Sequence, residues 1–188
     1  MIRRTETIMQ VRTETDKTLW FSMWFLASIA TFGAAFFPMF YRLIEGRNKH
    51  FQREADLERL IAAFLRTQGK ETPATSVSLR EMNAKAWAAS IILVIPVFAI
   101  TYLLSRDLLI HERCQDSFLA SAFPDRMFMP QTIPIRKYAV ITIVTLGVGI
   151  VYWLYNIVNM YNAHFKAQLQ VEKEIAKLMG EKPVGESM

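Results

Sequence analysis

The sequence predicts an all-α membrane protein with three transmembrane helices, in which helices one and three are parallel repeats that extend into amphipathic helices. Hydrophobic residues make up 52% of the 188 residues and the mean hydropathy is +0.18, although 21% of the residues are charged. The charges are segregated, because residues 18–41, 86–105 and 138–165 contain no Asp, Glu, Lys or Arg. These runs of 24, 20 and 28 residues satisfy the requirement of about 20 apolar residues for crossing a bilayer.

Other classes of protein fit the composition less well. A helix of a soluble bundle usually keeps a charged face toward water, so three long charge-free runs in one short chain disfavour that class. The first run is longer than the stretch of about 7–15 apolar residues in a cleaved signal peptide. The net charge of +5 is explained by Lys and Arg at a bilayer surface, and no nucleic-acid-binding motif indicates a nucleic-acid partner.

Residues 1–188 are interpreted as a single membrane domain whose first repeat unit covers about residues 18–69. Its membrane helix begins near Thr18 and ends near Ile44, and Pro38 predicts a kink in its last third. Apolar residues then recur at helical spacing up to Leu65, which predicts an amphipathic helix that leaves the membrane. The apolar stripe of this helix must contact lipid, its own repeat or a partner.

The central part of the chain is divided into a linking helix, about residues 79–106, and a surface connection, residues 107–137. Pro96 lies near the middle of the linking helix and predicts a second kink. The connection contains three prolines and several large apolar side chains, so we expect it to lie along the membrane surface or beneath a partner. The second repeat unit, about residues 138–180, again passes from a membrane helix into an amphipathic helix.

The two repeat units are related by an offset of 114 positions. Residues 31–62 and 145–176 share nine identities in 32 positions, including Thr-x-Gly at the start and Asn-x-His-Phe in the middle. One helix lies between the copies, so both copies are predicted to cross in the same direction, as parallel repeats do. The small Thr and Gly residues are predicted to let helix backbones approach closely.

The distribution of basic residues predicts the orientation. Loop one and the C-terminal tail together carry 13 Lys and Arg, whereas the N-terminal segment and the second connection carry nine. Because Lys and Arg are in excess on the cytoplasmic side, we predict a multi-pass protein of the cell membrane with its N-terminus outside and its C-terminus in the cytoplasm.

The T-L-G, Y-W-L-Y and N-x-H-F motifs of the second copy resemble those of an uncharacterised family of small prokaryotic membrane proteins. The resemblance is strongest from Tyr138 to about Leu178 and extends to residues 25–65, where Pro38 and Met39 replace the aromatic pair Tyr152 and Trp153. It implies residence in a membrane and no established activity, and it supplies no catalytic residues.

Four residues are weak candidates for a metal site. His50 and His164 occupy equivalent positions of the repeat, and two imidazoles can bind a metal or relay protons. His111 and Cys114 would share a helical face, and sulfur with imidazole suits copper or zinc. Polar residues at a membrane boundary or at a helix end are the favoured explanation of all four, so no metal site is assigned, and no catalytic motif is found.

The sequence therefore favours a non-catalytic accessory subunit of a larger integral-membrane complex. Its expected partners are other membrane-protein subunits and the lipid bilayer. One alternative is a homo-oligomeric membrane carrier of ions or small molecules. Another is a metal-binding membrane protein, or a subunit of a membrane metalloenzyme such as a copper-dependent monooxygenase.

Overall fold

The computed structural model describes residues 12, 15–73, 79–123 and 132–178. Between residues 17 and 178, the described residues form six α-helices and one turn of 3-10 helix. Each of three long helices is preceded by a short one. The helices are α1 (Phe21–Ala30), α2 (Phe36–Thr67), α3 (Ala84–Ser90), α4 (Ile95–Ala122), α5 (Ile135–Val144) and α6 (Gly149–Leu178), and the 3-10 turn is Ile91–Leu93.

The first charge-free run is interrupted by a turn between α1 and α2. Phe32 and Gly33 adopt positive φ angles of 51° and 92°, which no regular helix contains. The Thr31 hydroxyl donates to the Ala27 carbonyl at 2.7 Å and accepts from the Ala35 N–H at 3.0 Å. One threonine thus satisfies backbone groups on both sides of the turn, where the helical ladder stops.

The third charge-free run contains the same turn between α5 and α6. Leu146 and Gly147 have φ angles of 51° and 96°. The Thr145 hydroxyl donates to the Ile141 carbonyl at 2.8 Å and accepts from the Gly149 N–H at 2.7 Å. The Thr-x-Gly motif that begins each copy of the repeat is therefore a turn motif.

Each of these two turns reverses the chain and forms a helical hairpin. In the first hairpin the Arg42 guanidinium lies 5.4 Å from the centre of the Trp24 ring, and the two residues stand nine positions on either side of Gly33. In the third hairpin the rings of Tyr138 and Trp153 lie 6.0 Å apart. The short helix therefore packs against the first turns of the long helix that follows it.

The central charge-free run is also divided. Val94 has a φ of 62° between the 3-10 turn and α4. Pro96 was predicted to lie near the middle of one helix, whereas the structure places it at the first turn of α4. A proline is tolerated there because the N–H groups of a first helical turn have no partner within the helix.

The prediction of three transmembrane helices is therefore wrong. In the part of the chain that the structure describes, every helix is too short or too polar to span a bilayer. The physical reason is that each charge-free run contains a residue with positive φ in its interior, so the apolar residues are divided between two helices. The predicted multi-pass location and orientation in the cell membrane, and the classification as an integral membrane protein, depended on those spans and are wrong with them.

The segment predicted as a surface connection contains the second half of a long buried helix. Helix α4 continues to Ala122, and Phe118 and Leu119 are buried against α2 and α6. Their apolar neighbours include Ile61 and Ile175. The amphipathic stripes of the three long helices thus cover one another in a bundle. Residues 124–131 of the connection lie outside the described residues.

The backbone of the first turn predicts opposite effects for two glycine substitutions. Gly33→Ala should lower the free energy of unfolding by about 1–2 kcal/mol, because a side chain disfavours positive φ. Gly46→Ala is the matched control within helix α2, where a Cβ would meet only the Thr15 carbonyl oxygen at 3.8 Å. It should raise stability by about 0.5–1 kcal/mol, since alanine favours a helix interior. Denaturant unfolding measures both values, and equal effects would contradict the turn.

Candidate metal centre

The three long helices bring together the three histidines of the sequence. His50 lies on α2, His111 on α4 and His164 on α6, and all three are buried. The ring centres are 5.0 Å apart for His50 and His164, and 5.3 Å apart for the other two pairs. The imidazoles therefore form a nearly equilateral triangle in the interior of the bundle.

The triangle reflects a third copy of the repeat that the sequence analysis missed. Each histidine stands 17 positions after the residue with positive φ that ends its turn: Gly33, Val94 or Gly147. Each is preceded nine positions earlier by a tyrosine and followed four positions later by Glu or Gln. The pattern Y-x8-H-x3-[EQ] is the signal that finds the three copies, and its members are Tyr41–His50–Glu54, Tyr102–His111–Gln115 and Tyr155–His164–Gln168.

Carboxylates determine which nitrogen of two of the imidazoles carries a hydrogen. His50 Nδ1 lies 2.9 Å from Asp16 Oδ1, and His164 Nδ1 lies 3.0 Å from Glu112 Oε1. Because a carboxylate oxygen accepts, both Nδ1 atoms are assigned as N–H donors. In the neutral rings, the Nε2 atoms then carry lone pairs.

Those lone pairs point toward one another. His50 Nε2 and His164 Nε2 are 3.0 Å apart, so two acceptors face each other unless a positive centre lies between them. His111 Nε2 is buried without a hydrogen-bond partner among the described residues. One ring nitrogen of each histidine lies within 4.8 Å of the others, which is close enough for all three to ligate one ion.

Burial keeps two of the rings neutral. Burial lowers the pKa of His50 to about 4, although the hydrogen bond with Asp16 opposes this shift. Burial also lowers the pKa of His111 well below its usual value, and the positive charges that the other two histidines and Arg47 can carry act in the same direction. At neutral pH these imidazoles are therefore available as ligands without first losing a proton.

Asp16 is a well-anchored partner of His50. Burial alone would raise the pKa of Asp16, but its contacts with His50, Arg53 and Arg12 outweigh burial and lower the pKa to about 2. Arg53 Nη2 donates to Asp16 at 2.8 Å, and Arg12 Nε donates to it at 3.1 Å. The carboxylate that orients His50 is thus ionised and fixed by two guanidinium groups.

A second polar layer lies one helical turn beyond the histidines. Glu54 Oε2 accepts hydrogen bonds from Gln115 Nε2 at 2.8 Å and from Gln168 Nε2 at 2.6 Å. Burial raises the pKa of Glu54 well above its usual value, Arg53 opposes this, and Glu172 adds to it. These three side chains, from equivalent positions of the three copies, tie the long helices together beside the triangle.

A small cavity connects the triangle with the protein surface. It has a volume of about 220 Å³, and its lining includes His111, Glu54, Phe51 and the exposed Arg59. Water or a small solute in this cavity would reach the side of the triangle that His111 forms.

The structure separates the four candidates named from the sequence. It brings His50, His111 and His164 together, although the sequence analysis paired His111 with Cys114. Cys114 is a partly buried free thiol, and it is outside the group of ligands that the described residues form. Asp16, Glu54 and the two glutamines were not singled out, because their roles depend on contacts between distant parts of the chain.

The chain matches no protein-family model, no curated protein and no solved structure. The resemblance to an uncharacterised family of small prokaryotic proteins therefore stays a prediction. The role as an accessory subunit of a larger complex also stays a prediction.

The lowered pKa of His50 predicts a specific loss of stability in acid. The unfolded chain protonates this ring near pH 6.5 and the folded chain only near pH 4, so stability falls as pH drops through that interval. The raised pKa of Glu54 makes stability change with pH in the opposite direction. Because the native chain and His50→Gln both contain Glu54, its contribution cancels when the two proteins are compared. With metal removed by a chelator, the stability of the native chain relative to His50→Gln should fall by about 3 kcal/mol from neutral pH to pH 4.

Denaturant unfolding of both proteins across this range measures the difference. A difference that stays constant with pH would show that His50 is not held neutral in the folded protein.

Proposed function

We propose that this protein binds a divalent transition-metal ion through the Nε2 atoms of His50, His111 and His164. The observation that carries the proposal is the contact of 3.0 Å between two Nε2 atoms whose Nδ1 atoms both face carboxylates. A cation at the centre of the triangle converts this repulsion between lone pairs into coordination.

The size of the triangle suits such an ion. Zn–N bonds of about 2.0–2.1 Å at a tetrahedral angle place two ligand nitrogens about 3.3 Å apart. The His50–His164 pair, at 3.0 Å, is already close to this value, and the other separations lie within 4.8 Å, so binding requires the rings to close by up to about 1.5 Å. Three protein ligands leave a fourth position for water or a solute, which the cavity beside His111 can supply.

The surroundings of the ligands also support the proposal. Metal-binding histidines usually donate the second ring N–H to a carboxylate or carbonyl, which fixes the ring and makes the ligand more basic. Asp16 and Glu112 occupy that position for two of the three rings. Imidazole ligands suit zinc, copper, iron and nickel, and zinc is the first ion to test.

A shared proton between His50 and His164 is the competing explanation of the short contact. It requires one imidazolium in a buried pair, and burial lowers the pKa of His50 to about 4. The two explanations differ in what they expect to be measured. A metal ion should be retained by the protein and should require His111, whereas a proton shared by His50 and His164 involves neither an ion nor His111.

Metal content tests the proposal directly. The full chain, loaded with Zn²⁺ and freed of excess ion, should retain about one ion per molecule. His111→Ala should weaken binding by a factor of about 100 or more, because it removes one of three ligands. Cys114→Ala is the matched control on the same helix and should retain the ion.

Cobalt substitution provides a second measurement in the same proteins. Co²⁺ in a tetrahedral nitrogen site gives visible absorption bands, and His111→Ala should lose them whereas Cys114→Ala keeps them. A native chain that retains no ion, or that loses it only in Cys114→Ala, would reject the three-histidine site.

The role of Glu112 as a positioning residue predicts an intermediate effect. Glu112→Gln removes the carboxylate that accepts from His164 Nδ1 and should lower metal affinity by about 10–100-fold. Asp56→Asn is the control, because it makes the same kind of change at an exposed carboxylate of α2 that pairs with Arg59. It should leave the affinity within a factor of about two. Competition with a coloured chelator measures both affinities, and equal losses would contradict a specific contact.

A further inference from the structure

The three turns of the repeat converge at one end of the molecule. Phe32, Val94 and Leu146, one residue from each turn, line a single apolar cleft of about 810 Å³. A Cβ at Gly147 would lie 3.5 Å from the ring of Phe98 on α4, so the start of α4 contacts the turn at Gly147 there. The name apolar end is used here for the three segments that extend eight positions on either side of Gly33, Val94 and Gly147. They are residues 25–41, 86–102 and 139–155.

The apolar end exposes an unusual amount of hydrophobic surface. Phe32 and Leu146 are fully exposed, at 102% and 95%, and no charged residue is present in the three segments. Soluble monomers rarely expose contiguous apolar patches of more than a few hundred Å². Among the described residues, most of the large exposed hydrophobic side chains lie in this end, including Leu26, Ile29, Ile92, Leu93, Ile95, Val140, Ile143, Val144 and Val148.

The depth of the apolar end matches one leaflet of a bilayer. Eight residues of helix rise about 12 Å, and the hydrocarbon core of one leaflet is about 15 Å thick. The chain enters and leaves this end from the same side at each turn. At the Val94 turn this is shown by Arg47, which donates to the Arg80 carbonyl before the turn and to Asp107 after it. Insertion to this depth therefore requires no crossing. This arrangement differs from the transmembrane helices that the sequence predicted.

A band of aromatic and basic side chains borders the apolar end. Tyr41, Tyr102 and Tyr155 all stand eight positions after their turns, and the last two are exposed. Aromatic side chains with a polar group are enriched at the level of lipid headgroups. On four of the six flanks of the three segments, exposed cations stand nine to twelve positions from the turn, and they are Arg42, Lys85, Arg106, Arg136 and Lys137. On the other two flanks the first cations, Lys17 and Lys166, lie farther away, at 16 and 19 positions.

We propose that the apolar end inserts into one leaflet of an anionic lipid surface. The ring of cations complements anionic headgroups, which attract basic residues by about 1 kcal/mol each. The exposed tips enter the hydrocarbon, and the polar half of the bundle with the histidine triangle stays on the water side. A second copy of the chain could also cover the tips, but it would not explain the ring of cations. The proposal does not depend on metal binding.

Vesicle flotation of the full chain tests the proposal. The chain should float with vesicles of phosphatidylcholine and phosphatidylserine, and less with phosphatidylcholine alone. Phe32→Glu combined with Leu146→Glu should weaken binding at least about tenfold, because each carboxylate would enter hydrocarbon. Leu169→Glu, at an exposed apolar position in the polar half of the bundle, is the matched control and should bind as the native chain does.

Spin labels measure the depth of insertion. In a Cys114→Ser chain, a label at Leu146→Cys should become accessible to oxygen and protected from a water-soluble relaxation agent on addition of vesicles. A label at Leu169→Cys should stay in water. Circular dichroism of every variant confirms that it remains helical, so that loss of binding is not loss of the fold.

Three results would overturn the proposal. The first is a native chain that does not float with anionic vesicles. The second is a dimer whose tips are protected without vesicles and which Phe32→Glu with Leu146→Glu dissociates, because a second copy is then the occupant. The third is a label at Leu146→Cys that remains in water while the protein is bound.

Discussion

The meeting of three imidazoles in the buried interior of the bundle is the constraint on which the rest of this structure depends. Two of the rings are fixed by carboxylates on their outer side, so their inner nitrogens have only lone pairs to offer each other. Such an arrangement is costly unless a cation or a proton occupies the centre. The polar core around it, with Arg53 between Asp16, Glu54 and Glu172, holds the rings in place.

The repeated hairpin explains how the chain builds this centre. A turn with positive φ lies at a fixed distance before each histidine, so the turn sets both the register of the long helix and the height of its ring. The same turns place hydrophobic tips at one end and polar side chains at the other. One local motif, used three times, therefore separates an apolar end from a polar interior within a bundle of modest size.

Much of this could be predicted from the sequence, and the exceptions have physical causes. Helical periodicity, the repeat at an offset of 114 and the equivalence of His50 and His164 were all visible. The transmembrane interpretation failed because Thr-x-Gly and Val94 act as turns, and hydropathy summed over a run does not register a change in φ at one residue. The copy in the middle of the chain, which contains Val94 and His111, was missed because it lacks Thr-x-Gly and retains chiefly its tyrosine, histidine and glutamine.

The layer beyond the histidines is chemically uneven, with one carboxylate, Glu54, between two amides, Gln115 and Gln168. Three identical subunits around an axis would have to place three carboxylates or three amides there, so one acceptor could not be shared by two amides and three carboxylates would repel one another. Joining the copies in one polypeptide removes this restriction, since each copy can diverge separately. A single polypeptide thus allows a layer without threefold symmetry, in which the one acceptor, Glu54, binds amide donors from both of the other copies.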